Sequence, residues 1–338
     1  MEMNLKAGAT IMALLIIVAA LLLVINPVSK TQQAEDGKTN GATLENNFRE
    51  ENFLEFGLKT NTALRSIELS KILNGGPGKN GIPALHNPKF VQVNEKPRTV
   101  LDDTRGIVLG EEQPKFYPYN IIIWHEIVND IVDGVPVAVT FCPLCGSASV
   151  FDRRIEGETL SFGVSGLLYQ SNLLMYDSKT ESLWSQVLGE AVVGDSTGTK
   201  LKLVPSGVVT FKEFSQLHPN GLVLSDDTGY VRNYSFNPYG DYESDSSIYF
   251  PVDGFDDKLP AKELVFAVPV ENSMVVFVLS ELNENRFAEI NVGDRKMSVV
   301  IDNGVYLASL DGEEKPGFVA MYFSVNIHNK NLIVWQGK

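Results

Sequence analysis

Cysteine is almost missing from this chain. Its 338 residues hold two, Cys142 and Cys145, so no disulfide framework can carry the fold, and apolar burial must. Positive charge is also in deficit. Lys and Arg number 28 against 42 Asp and Glu, a formal net charge of -14, and no basic patch interrupts the imbalance. A nucleic-acid partner is thereby excluded, because phosphate-backbone binding rests on clustered Lys and Arg. Two catalytic signatures are incomplete. The stretch Gly75-Gly-Pro-Gly-Lys79-Asn-Gly81-Ile-Pro83 has no Gly-Lys-Ser/Thr ending and follows no strand, so it reads as an ordered loop and not a phosphate cradle. Ser165, in Gly163-Val-Ser-Gly166, lacks the Gly-x-Ser-x-Gly elbow of a serine nucleophile.

What is present begins with Ala9 to Ile25, apolar throughout and without charge. A helix of about 17 residues is the lower limit for crossing a bilayer core. The flank Asn26-Pro-Val-Ser-Lys30 contains no Ala-x-Ala cleavage site, which favours an uncleaved anchor over a removed signal peptide. A short N-terminal tail stays inside, so the membrane becomes a partner through this helix and the rest of the chain lies outside the cytoplasm. The expected layout is an anchor or signal segment over 1–30, a polar tether over 31–60, a main domain over 61–254 and a second lobe over 255–338.

Leu64 to Leu73 carries apolar residues at helical intervals and predicts one short helix. From Lys89 the pattern turns to β. Short apolar runs at Val91–Val93, Ile107–Leu109, Ile121–Trp124, Val135–Phe141 and Leu160–Val164 are separated by Gly, Pro, Asp and Asn. Asp133-Gly134 and Glu156-Gly157 predict hairpin turns. Leu173–Asp177 and Ser182–Leu188 predict two further strands. Ser225 to Gly254 is polar and aromatic without a period, and reads as a long segment wrapped over the domain through its tyrosines. The fold class is mainly β with a few short helices.

The hydrophobic pattern after Leu264 repeats the earlier plan. Glu263 to Val268 lies on Gly106 to Gly110, Met297 to Ile301 on Pro136 to Thr140, and Asn331 to Gln336 on Glu181 to Gln186, which predicts two related β-rich lobes. In the second copy Asp302, Asn303 and Gly304 occupy the corner where the first has its cysteines, and nothing stands opposite His125.

That corner, Phe141-Cys-Pro-Leu-Cys-Gly146, is a tight turn between two strands with two sulfurs at its tip. It has the local form of a rubredoxin or zinc-ribbon knuckle, present once and not twice. A soft or borderline metal, copper or zinc, suits such a thiolate pair better than magnesium or calcium. His125 is the candidate third ligand, with His86, Met175 or Asp177 completing the set or supporting it. Trp124-His125-Glu126 also reads as a strand-to-helix junction whose imidazole serves the backbone, and Met175 as core.

Trp124-His-Glu-Ile-Val-Asn-Asp130, Phe141-Cys-Pro-Leu-Cys-Gly, Phe162-Gly-Val-Ser-Gly166 and Met175-Tyr-Asp-Ser-Lys-Thr-Glu-Ser-Leu-Trp-Ser-Gln186 together resemble the domain of unknown function 3179 family. The resemblance runs from the Gly75 loop to about Tyr242 and more loosely to the C-terminus. It implies an exported or anchored prokaryotic protein and implies no activity.

Two readings compete with the metal. One is a dithiol that cycles with a disulfide, His125 lowering the pKa of the attacking thiol, although no helix follows Cys145 as it would in thioredoxin-type pairs. The other is a small-ligand cleft lined by Arg153, Ser165, Tyr176, Trp184 and Gln186, with no metal.

Overall fold

The structure is a computed structural model that describes residues 50–337. The anchor stretch Ala9–Ile25 and most of the tether lie outside the described residues. Among those described, no helix is long and apolar enough to cross a membrane. The end of the expected tether is not a tether. Glu50–Glu55 is a helix, and Phe53 and Leu58 bury in a cluster with Ile72, Leu167 and Leu174, because two large apolar side chains in a polar stretch find a sheet to pack on. The helix expected over Leu64–Leu73 is replaced by a single 3-10 turn, Leu69–Lys71, and a strand, Ile72–Asn74, which joins a sheet edge. Ile121–Trp124, expected as a strand, belongs to a helical turn starting at Tyr119.

The first half runs β1 (Arg105–Leu109), β2 (Lys115–Pro118), α1 (Tyr119–Ile122), β3 (Ile127–Val132), β4 (Val135–Cys142) and β5 (Ser147–Asp152). A side sheet follows: β6 (Phe162–Tyr169), β7 (Asn172–Asp177), β8 (Leu183–Ser185) and β9 (Glu190–Val193). Then come β10 (Gly207–Thr210), α2 (Phe211–Leu217) and β11 (Leu222–Leu224). The second half runs β12 (Leu264–Val270), β13 (Ser273–Val278), α3 (Leu279–Asn285), β14 (Phe287–Val292), β15 (Arg295–Asp302), β16 (Val305–Leu310), β17 (Phe318–Met321), α4 (Tyr322–His328) and β18 (Leu332–Trp335).

The order β10-β1-β2-β11 and the order β17-β12-β13-β18 have the same pairing sense at each step: antiparallel, antiparallel, parallel. In each set the central hairpin, β1-β2 or β12-β13, is followed by a helical turn and a three-stranded meander, β3-β4-β5 or β14-β15-β16. Glu126 and Arg286 end the two helical turns at φ 57° and 58°. Their carbonyls accept equivalent bonds, from Phe141 N at 2.8 Å and Ile301 N at 3.0 Å. In this arrangement β18 stands where β11 does, so the alignment of Asn331–Gln336 on Glu181–Gln186 is corrected. Hydrophobic pattern alone placed it on a strand of the side sheet.

Hairpin geometry follows from the turn residues. Asp133-Gly134 and Asn303-Gly304 each place two residues at positive φ, the twist a two-residue hairpin needs. The halves then grip each other. The β5 strand pairs with β17 through Ala148 and Val319, and Met321 N donates to Cys145 O at 2.8 Å. In return Tyr306 N of β16 donates to Ser206 O at 3.2 Å, beside β10. The largest apolar cluster draws Ile107, Phe116 and Phe141 from one half and Phe266, Phe277 and Tyr306 from the other, so the two halves share one core among the described residues.

Candidate functional site

The β4–β5 corner is closed by Cys145 N bonding Cys142 O at 3.3 Å, with Gly146 at φ 55° turning the chain back. Both cysteines are free and buried, at 1% and 0% exposure. Both belong to one buried apolar cluster, and the two thiols shift each other's ionisation in opposite directions.

The two sulfurs are unequal. Cys145 Sγ receives the Asn172 Nδ2 amide at 3.0 Å and lies 3.2 Å from Ser147 Oγ. Ser324 of α4 turns a buried hydroxyl with no hydrogen-bond partner toward this region and acts to lower the same thiol. Burial alone would raise this thiol, but hydrogen bonding, led by Cys142 and with the Asn172 amide as a donor, outweighs it and brings it down to about 7, while Ser147, whose single proton goes to Gln186 Oε1, faces the sulfur through its oxygen. Burial pushes Cys142 the other way, well above an ordinary thiol, and the neighbouring charges of Cys145 and Glu126 add to the rise.

A second layer holds Asn172 and Ser147 in place and takes the Ser147 proton. Gln186 Oε1 accepts from Ser147 Oγ at 2.5 Å and from Asn172 Nδ2 at 2.9 Å, while Gln186 Nε2 donates to Thr140 Oγ1 at 2.9 Å. Asn172 Oδ1 accepts from Val187 N at 3.0 Å, which fixes the direction of the amide and leaves its N–H groups for Gln186 and the sulfur. Glu126 is the carboxyl next to the pair. It is buried, has only the Tyr239 hydroxyl at 3.3 Å as side-chain partner, and is raised to about 8 by burial, with the Cys145 charge adding and Tyr239 opposing.

His125 does not join the sulfurs. Its Nδ1 is 2.8 Å from Pro83 O and its Nε2 is 2.8 Å from Tyr234 OH, so both ring nitrogens are spent. Burial lowers it to about 4 and keeps it neutral. His86 lies on the exposed Leu85–His86 edge, paired to β3. Among the described residues no group of three or more His, Cys, Asp and Glu can hold a metal ion. Met175 is fully buried between Val164 and Trp184 in the apolar cluster that contains both cysteines.

The expected ligand cleft disperses, except at Gln186. Arg153 gives its guanidinium to the carbonyls of Val137, Leu160 and Asp130. Ser165 spends its hydroxyl on Leu174 O and Leu167 N at a bulge in β6. Tyr176 OH donates to Asn80, in the glycine-rich loop. Asp177 accepts from Thr180 N, Thr180 Oγ1 and the Trp184 indole at 2.7, 2.8 and 2.9 Å, a turn-capping role. That loop is itself structural, since a Cβ on Gly166 would stand 1.9 Å from Pro77 O.

Sequence reasoning missed Glu126, Ser147, Asn172, Tyr239, Tyr242, Met321 and Ser324. Ser147 was available in principle, two positions from Cys145 on the same strand face. Glu126 stands in the Trp124–Asp130 motif and Tyr239 and Tyr242 in the aromatic segment, but nothing in either pointed them at the cysteines, and Asn172, Met321 and Ser324 reach the corner from distant segments with no motif to mark them. The long polar-aromatic segment does wrap: Tyr234 and Tyr242 bury, and Tyr242 OH donates to Leu144 O at 2.7 Å, inside the corner.

Searches of curated proteins and of solved structures find no match. The family model described as Protein of unknown function (DUF3179) matches residues 79–325, a span that holds the thiol corner and most of both halves, and the chain belongs to that family.

Proposed function

We propose that Cys142 and Cys145 are a dithiol that cycles with a disulfide, Cys145 as attacking thiolate and Cys142 as resolving thiol. The observation that supports this is the asymmetry at the corner: the Asn172 amide donates to the Cys145 sulfur from 3.0 Å, while burial and the neighbouring Cys145 hold Cys142 as a protonated thiol beside it. The turn hydrogen bond keeps the two Cα atoms within a β-turn span of under about 7 Å, which suits a disulfide. In the forward direction Cys145 S⁻ attacks one sulfur of a partner disulfide, and the other partner sulfur leaves as a thiolate. Cys142 S–H then gives up its proton to that thiolate and attacks the Cys145 sulfur, and the second partner sulfur leaves as a thiolate. Two electrons pass from the pair to the partner, and charge is conserved.

Titration in glutathione buffers of graded ratio tests the reading. Both thiols should disappear from alkylation together in one two-electron transition. Cys142→Ser should trap a mixed disulfide, and Cys145→Ser should react slowly. Thiols that persist across the whole range of ratios would overturn it.

A second reading keeps the metal. Zinc asks for four ligands, and the described residues bring two sulfurs and no third donor in ligating position. Copper(I) tolerates a softer, smaller set, and Met175 and Met321 lie in the same apolar cluster as the cysteines. One equivalent of copper(I) retained by the purified protein and lost on Cys142→Ser would favour this reading over the couple.

The setting we propose is outside the cytoplasm, held by the segment Ala9–Ile25; fractionation with a C-terminal reporter tests it, and a soluble cytoplasmic reporter would sink it. We also read the halves as an ancient duplication, on the matched strand order, and the thiol corner as a device kept in one copy. An experimental structure whose halves do not overlay would remove that reading.

A further inference from the structure

We propose that residues 225–263 form a strap that must lift before the thiols can react. The inference rests on the dithiol reading and adds how that site is controlled. The segment contains no helix or strand. It crosses the corner and is tied down at named points. Tyr234 OH meets His125 Nε2 at 2.8 Å and Thr228 Oγ1 at 2.6 Å, which anchors the near end. Tyr239 OH reaches Glu126 at 3.3 Å and Tyr242 OH reaches Leu144 O at 2.7 Å, so two phenols bond directly to the corner and to the carboxyl beside it.

Charge fastens the far side. Glu243 pairs with Arg105 of β1, and within the strap the Lys262 ammonium donates to Tyr242 O and stands 3.4 Å from the centre of the Tyr242 ring, which braces that tyrosine without tying it to the body. Between the strap and the corner, walled by Pro143, Gly146, Tyr239 and Tyr242, the cavity is about 40 Å³. That has room for no more than a few water molecules. A partner sulfur with its own chain does not fit, and with exposures of 1% and 0% neither cysteine offers another approach.

The fastenings are of the kind that open locally. Backbone hydrogen bonds to the body hold the strap at its two ends, at Ser225 and at Ala261 and Glu263, while over the corner the Arg105–Glu243 pair is partly solvated on both sides, at 34% and 55% exposure, so its hold weakens with salt. Val231 and Phe236 are left at 97% and 58% exposure, so the outer face of the strap is not what holds it.

The test is the alkylation rate of the native full chain by iodoacetamide. Tyr242→Phe keeps the ring and removes the bond to Leu144, and should speed labelling about three- to tenfold. Arg105→Gln should speed it less, and raised ionic strength should speed the wild-type chain and leave Arg105→Gln nearly unchanged. Val231→Ser serves as the control and should not change the rate. Labelling should depend weakly on low urea, because a strap exposes less surface than global unfolding. Rates indifferent to Tyr242→Phe, or a urea dependence equal to that of global unfolding, would overturn the strap. The two proposals separate cleanly. Fast labelling on release with no disulfide in any glutathione buffer removes the couple and leaves the strap, and reversible oxidation unaffected by the latch variants does the reverse.

Discussion

The side-chain amide of Asn172 points at the sulfur of Cys145 from 3.0 Å, held in that direction by Val187 N on its other end. A neutral amide is thus placed to stabilise negative charge on that sulfur when the thiol ionises. Asn172→Ala should raise the Cys145 pKa by roughly one to two units, since a hydrogen bond to a charged group is worth about 1.5–3 kcal/mol and one unit is about 1.36 kcal/mol. Thiolate absorbance followed against pH measures it, and an unshifted curve would mean that the amide does not set this thiol.

Glu126 makes stability depend on pH in a defined sense. Its carboxyl ionises near 8 in the folded chain against a reference of 4.5, so between those values the folded state keeps a proton that the unfolded state has released, and stability falls as pH rises. Cys145 acts in the opposite sense. It ionises near 7 when folded against a reference of 9.0, so between those values it adds stability as pH rises. Glu126→Gln should abolish the first slope and keep the second. Urea midpoints across the range decide the matter, and a variant with the wild-type slope would show that Glu126 is not the group responsible.

Gln186 is the hub of the polar layer, engaging Ser147, Asn172 and Thr140 at once. Gln186→Leu fills the space but strands those partners in an apolar interior, at a cost of about 2–4 kcal/mol. Chemical denaturation reads the loss, and the same variant should slow Cys145 alkylation at neutral pH because its donors lose their hold.

Gly207 sits where β10 meets the β15–β16 turn, and a Cβ there would lie 1.7 Å from Gly304 O. Backbone on both sides leaves nothing to yield. Gly207→Ala should cost about 3 kcal/mol or more, while Gly254→Ala, which meets nothing within 4 Å, should be close to neutral in a thermal melt.

Much of the plan was legible in the sequence. The Asp133-Gly134 and Glu156-Gly157 turns, the long strand into Cys142 and the aromatic wrapping of the 225–254 stretch follow from period-two patterning and turn chemistry that act within a few residues. Ile121–Trp124 misled because a short apolar run fits a buried helical turn as well as a strand. His125 misled for a related reason: proximity in sequence to the corner does not fix what its ring meets, and Pro83 and Tyr234 reach it first. What defines the corner chemically comes from Asn172, Gln186 and Ser324, brought in by sheet pairing over separations that no local pattern encodes.

The bond from Met321 N to Cys145 O gives the chain a schedule. A nascent polypeptide that has emerged as far as its first half holds both sulfurs on an unfinished sheet edge, and β17 arrives only near the end of translation. Through that interval the thiols lie open to any oxidant in the surroundings, so the order of synthesis sets a window of chemical vulnerability that closes when the last strands dock.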